Sequence, residues 1–293
     1  MKLKTSVAGI LFPDSRHSLK GMEDTAGYLK GKVNMLEFYY EGENDSAVGR
    51  LLEKNDLEGI FIGVIPLKER GLNLCSLDEE NRTAAVQLMF KCIERARLTG
   101  CHSLMLCSGK RPLSDGDIPA CTDAFVRSVG QIMEYEAAGS GSPVKLLLEP
   151  CDSSMDVKHL LGPTHRVIST AKRISNLPGS FGLTMDTAHV AEEHEDFMEA
   201  MAAARPYCNH VHFANCAIQD PADPFYGDKH VDFDYPGGSF PCSALEKIFR
   251  SLEYMYEDDS LGIALEILCR ADNPYENFDA IMASMPWFFN YSA

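Results

Sequence analysis

The sequence predicts a parallel (β/α)8 barrel, and three observations lead there. Short runs rich in β-branched and aliphatic residues recur eight times along the 293 residues, alternating with helical patterning. The first run is followed by Leu11-Phe12-Pro13-Asp14-Ser15 rather than a Gly-rich phosphate turn, which argues against a doubly wound open sheet. Acidic residues and histidines fall at the carboxyl ends of the last four runs, the end where barrels of this kind carry their sites.

The strands are expected at 6–12, 33–39, 59–65, 103–107, 144–149, 182–186, 210–213 and 262–267. After the third, Ser76-Leu77-Asp78-Glu79 has the form of a capping box. Apolar residues then follow at 85, 88, 89, 92, 93 and 96, and Gly100 stands at the stop. The stretch 118–138 repeats the pattern, with Phe125, Val129, Ile132 and Met133 on one face and Gly139 at its end. A shorter helix over 195–204 is stopped by Pro206. Ser243-Ala244-Leu245-Glu246 opens another, with Leu245, Ile248, Phe249, Leu252 and Met255 on one stripe. The last helix, 273–290, is expected to break at Pro286. No repeat, composition shift or low-complexity linker divides the chain, so one barrel domain over 1–293 is expected.

Composition removes several function classes. The net charge of −16 repels phosphate backbones, and Lys68, Arg70, Lys110 and Arg111 are scattered rather than gathered in a basic patch. No nucleic-acid partner is expected. No apolar run approaches the ~20 residues of a membrane helix, and the apolar stretch 7–12 is too short for a secretory signal. The ten cysteines are spread from 75 to 269 without a C-x-x-C pair. They read as reduced core thiols of a cytoplasmic protein.

The ionisable residues at strand ends carry the chemistry. Leu146-Leu147-Leu148-Glu149, Gly182-Leu183-Thr184-Met185-Asp186 and Ile263-Ala264-Leu265-Glu266 each end an apolar run in a carboxylate. His210-Val211-His212-Phe213 sets two imidazoles on one strand face. With Glu149, Asp186 and Glu266 inward, Leu147, Thr184, Gly182 and Ala264 lie beneath them, and Leu146 and Leu148 face helices. Three carboxylates in one barrel mouth repel each other and raise their own pKa values. A divalent cation relieves that conflict, and two Glu, one Asp and one His form a hard donor set that suits Mn²⁺ or Mg²⁺. His210 falls one layer below His212. His17, His159, His165 and His194 read as ordinary surface or core residues.

The strands ending Leu148-Glu149-Pro150, Met185-Asp186-Thr187-Ala188-His189, His210-Val211-His212-Phe213 and Leu265-Glu266-Ile267 resemble those of the sugar isomerase/epimerase family of xylose isomerase-like TIM barrels. The resemblance covers about residues 144–270 in motif and the first half in architecture. It implies one divalent metal on Glu149, Asp186, His212 and Glu266: Mn²⁺ first, with Mg²⁺, Co²⁺ and Zn²⁺ as alternatives. It implies that Glu149 and Glu266 move the proton and that His189 binds or polarises the substrate. Gly227-Asp228-Lys229-His230 followed by Tyr235-Pro236-Gly237-Gly238 is similar to the family's D-x-H … P-G-x-G element. Lys229 and His230 are therefore expected at the substrate, with Glu37 of the second strand beside them.

The implied activity is metal-dependent isomerisation or epimerisation of a monosaccharide or polyol next to its carbonyl, through an enediolate. The substrate is expected to be neutral, for want of a phosphate loop or clustered Arg. Ketose 3-epimerases continue the first Glu with Pro-x-Asn-Arg and a further Glu. Here the run is Pro150-Cys151-Asp152-Ser153-Ser154-Met155-Asp156, and Ile218 stands where those epimerases carry an Arg. Two lyase-type alternatives follow, an inosose dehydratase-like enzyme and the catalytic subunit of a C-glycoside deglycosylase-type complex. The long excursion over 214–260 could contact a second subunit, and a homo-oligomer is the other expectation. An AP endonuclease IV-like nuclease is the least favoured reading, because strands three and four end without histidine.

Overall fold

The computed structural model describes residues 2–290. Its strands are β1 Lys2–Ala8, β2 Met35–Phe38, β3 Glu58–Ile62, β4 Ser103–Cys107, β5 Lys145–Glu149, β6 Phe181–Asp186, β7 Cys208–Phe213 and β8 Ser260–Leu265. Each pairs in parallel with its neighbours in chain order, and β1 closes the barrel against β8. The helices are α1 Pro13–His17, α2 Leu19–Leu29, α3 Asp45–Lys54, α4 Val64–Glu69, α5 Glu79–Leu98, α6 Ile118–Ala138, α7 Thr164–Ile174, α8 Thr187–Glu192, α9 Phe197–Ala204, α10 Cys242–Met255, α11 Pro274–Ser284 and α12 Pro286–Phe289. None is long and apolar enough to cross a membrane.

Several boundaries differ from the sequence reading, among them those of β1, β3 and α5. β1 starts and stops four residues early, because Lys2 to Val7 register against Ser260 to Leu265. The apolar tail at 9–11 forms a 3-10 turn instead, where a side chain on Gly9 would lie 2.7 Å from the Glu37 carbonyl oxygen. β3 ends at Ile62, and the residues expected to extend it coil into α4. The cap of α5 is Asp78, which accepts from the Glu80 and Asn81 amides, while the Ser76 hydroxyl accepts from the Asp78 amide.

Strand alternation sorts the core into two compartments. Leu146 and Leu148 join the large cluster between sheet and helices, while Leu147 packs with Met35, Ile60 and Met105 as an apolar plug in the barrel. The plug is bulky on β2 to β5. Across the barrel, β6 and β8 contribute Gly182, Thr184, Gly262 and Ala264. Those small residues leave room for imidazoles. A Cβ at Gly262 would stand 2.2 Å from His210 Nδ1. All ten cysteines are free thiols, eight of them buried.

Candidate functional site

Four side chains converge above the plug. Glu149 closes β5, Asp186 closes β6, His212 lies on β7 and Glu266 follows β8. His212 Nδ1 lies 2.6 Å from Glu266 Oε2, 2.8 Å from Glu149 Oε1 and 3.8 Å from Asp186 Oδ2. One donor atom from each of the four falls within 4.8 Å of the other three. Nevertheless His212 Nδ1, Glu266 Oε2 and Asp186 Oδ2 are buried and make no hydrogen bond. A buried polar atom without a partner costs about 1–3 kcal/mol, so three facing one another need a common partner. The residues fit a single divalent cation, and three carboxylates with one imidazole favour a hard ion.

Local structure fixes each donor. Asp186 caps α8: its Oδ1 accepts the His189 amide at 2.9 Å, leaving Oδ2 turned to the set. His212 Nε2 donates to Glu37 Oε2 at 2.9 Å, which fixes the ring and leaves Nδ1 for the set. Glu37 also meets His210 Nε2 at 2.7 Å and accepts from the Ser6 hydroxyl at 3.1 Å. Glu37 is fully buried. The sequence expectation placed it at the substrate; the structure buries it against two imidazoles. The strand register sets Glu37 beside Ala8 and Ile60, and its carboxylate turns inward to the two imidazoles.

The electrostatics follow from this packing. Burial raises Glu149, helped by Glu266 and opposed by His212. Burial likewise raises Asp186. Glu266 departs from the expected rise: burial pushes it up, but His212 and His230 outweigh that and hold it below the usual carboxylate range. For His212, burial alone would lower the imidazole, yet Glu266, Glu37 and Glu149 raise it well above its ordinary value. Glu37 is lowered, since His212 and His210 overcome the effect of burial.

A cavity of about 580 Å³ opens over the set, lined in part by Glu149, Glu266, His189, Asp228, Lys229 and His230. Of the residues expected at the substrate, His189, Lys229 and His230 therefore reach it. His189 stands on the first turn of α8, and its Nδ1 lies 3.1 Å from Glu192 Oε2 on the next turn. Sequence reasoning missed Glu192, although the i, i+3 spacing of His189 and Glu192 on a helix was there to read. Burial raises Glu192 to about 7, against the lowering effect of His189.

The excursion after β7 folds back over the mouth. Asn215 holds it, donating to the Asp232 carbonyl and accepting from the Phe240 amide. His230 Nε2 lies 3.0 Å from Asp228 Oδ1, and His230 Nδ1 lies 3.8 Å from Glu266 Oε1. Burial opposes protonation of His230, but Glu266 and Asp228 raise it to about 9. Lys229 pairs with Asp156 of the loop after β5, and that loop is wound around Asp152, whose carboxylate accepts four successive amides from Ser154 to Val157. The Arg270 guanidinium donates to the Lys229, His230 and Leu268 carbonyls.

Comparison with known proteins agrees with this architecture. No curated protein sequence matches the chain. Among solved structures, a D-tagatose 3-epimerase-like protein superposes with a TM-score of 0.70 at 17% identity, over 99% of this chain and 100% of that one. A family 2 AP endonuclease from Brucella melitensis gives 0.67 at 15% identity, over 96% and 98%. A probable 3-DHS dehydratase from Bacillus anthracis gives 0.70 at 15%, over 97% and 98%. At such identities the likeness is one of fold. A sequence model of the family described as xylose isomerase-like TIM barrel matches residues 24–288. With the closed eight-stranded parallel barrel beneath it, that match makes the chain a member of the xylose isomerase-like TIM barrel family.

Proposed function

We propose that the protein is a divalent-metal-dependent isomerase or epimerase that moves a proton next to the carbonyl of a monosaccharide or polyol derivative through an enediolate. The observation that carries this reading is the approach of both Glu149 and Glu266 to His212 Nδ1, at 2.8 and 2.6 Å, with both lining the cavity. A cation held by Glu149, Asp186, His212 and Glu266, Mn²⁺ first, supplies Lewis-acid stabilisation of the charge that develops on the substrate oxygens.

The chain's own residues do the rest. One of the two glutamates removes the α proton and the other returns one to the intermediate. His189, steadied by Glu192, offers a ring N–H to the oxygen that gains charge. His230 and Lys229 border the cavity and meet substrate hydroxyls. The ten free thiols support a cytoplasmic setting.

The test is proton exchange in deuterated water with the Mn²⁺-loaded protein over a panel of keto-sugars and inososes. Exchange into at least one compound, lost in Glu149→Gln and in Glu266→Gln and abolished by chelator, is the expected result. Both variants exchanging at the wild-type rate would refute the assignment. Loss of water from a substrate in place of exchange would identify a lyase.

A further inference from the structure

Two exposed lysines at the cavity have no side-chain partner among the described residues. Lys68 on α4 and Lys110 after β4 both line the cavity over the four-residue set. Neither makes a hydrogen bond or ion pair through its side chain among the described residues. The acidic residues lining the same cavity are accounted for. Glu149 and Glu266 belong to the set, Asp156 pairs with Lys229, and Asp228 lies 3.0 Å from His230. Lys68 does act electrostatically on Asp228, but as the weakest of that carboxylate's influences, behind His189 and His230.

A third group joins the two lysines. Lys110 and His159 oppose each other in an antiparallel bridge, flanked by the Arg111 amide on the Lys158 carbonyl and the Leu160 amide on the Gly109 carbonyl, both at 2.9 Å. Residues directly opposite in such a pair project to the same side. His159 lines the cavity, is only 8% exposed, and its Nδ1 has no hydrogen-bond partner. Burial first, then His189 and Lys68, hold its imidazole down to about 4, so it is neutral at neutral pH and can present an N–H without adding charge.

We propose that Lys68, Lys110 and His159 form a subsite for an anionic group of the substrate, a carboxylate or a phosphate. Two unneutralised ammoniums and a buried unpaired imidazole in one concave wall complement an oxyanion and match no feature of a neutral sugar. The proposal rests on the proton-transfer reading of the same cavity and replaces the neutral substrate expected from the sequence with a sugar acid or a sugar phosphate.

The experiment uses the Mn²⁺-loaded protein and a panel of keto-sugars, the corresponding uronates and the corresponding phosphate esters, with binding followed by ligand-observed NMR. The expected result is that anionic members bind more tightly than their neutral counterparts. That preference falls by about tenfold in Lys68→Met and again in Lys110→Met, the loss of one charge-assisted contact each. Neutral members and Mn²⁺ affinity change in neither variant. Carboxylate against phosphate is decided by which arm shows the preference. The proposal is overturned if the tightest member is neutral, if no anionic member binds, or if both variants keep the wild-type preference. Solvent deuterium is measured in parallel. An anion preference lost in the variants, with no exchange in any compound, sinks the proton-transfer reading and leaves the subsite. Exchange confined to neutral compounds does the reverse.

Discussion

Replacing Glu37 by Gln tests how the site is held together. The Glu37 carboxylate is fully buried and meets His210 Nε2 at 2.7 Å, His212 Nε2 at 2.9 Å and the Ser6 hydroxyl at 3.1 Å. A glutamine of the same shape keeps one acceptor oxygen and turns an NH₂ toward the other imidazole. It loses one charge-assisted contact outright and weakens a second. Hydrogen bonds to charged groups contribute about 1.5–3 kcal/mol, so the expected loss of stability is about 2–3 kcal/mol. Because His212 takes its orientation from this contact, Mn²⁺ affinity is expected to fall by about 10- to 100-fold. Titration calorimetry of Mn²⁺ against both proteins measures the second quantity, and chemical denaturation the first. The pH dependence supplies a sign. Glu37 is lowered in the folded protein, so its stabilisation is complete above its unfolded value of ~4.3 and is lost as pH falls toward the folded one. The stability gap between wild type and Glu37→Gln therefore narrows on acidification below about pH 4.3. A variant with wild-type Mn²⁺ affinity, or a gap that widens in acid, would refute the orienting role.

Substitutions at two further positions separate packing from ligation. Asp186→Asn keeps the oxygen that caps α8 but removes the charge, whereas Asp186→Ala removes both; Mn²⁺ occupancy should fall in each, with about 1 kcal/mol of extra destabilisation in the alanine variant alone. Equal melting of the two variants would show that the cap contributes nothing. Gly262→Ala drives a methyl to within 2.2 Å of His210 Nδ1, and the displaced ring shifts Glu37 in turn. Its expected cost is about 1–3 kcal/mol, together with weaker Mn²⁺ binding, and unchanged binding would break the proposed link from Gly262 through His210 and Glu37 to His212.

The sequence by itself determined the barrel and the inward faces of its later strands. Glu149, Asp186, His212 and Glu266 were legible because side-chain direction in a strand has a period of two, and the small residues beneath them marked the same face. The long helices were legible for the same local reason: α6 runs over Ile118–Ala138 as its apolar period predicts. Strand ends were read less well, since β1 and β3 stop where neighbouring strands cease to pair. Tertiary structure alone decided who meets whom. Glu37 read as a residue of the mouth until barrel closure set it against two histidines more than 170 positions away in sequence. His159 read as ordinary, Lys68 and Lys110 read as scattered cations, and Lys229 was expected at the substrate. Only the folded loops tie Lys229 to Asp156 and bring Lys68, Lys110 and the unpaired His159 imidazole to the lining of one cavity. Periodicity is a property of neighbouring residues and survives in the linear chain. Charge pairing between loops depends on distances that exist only after β1 has closed on β8.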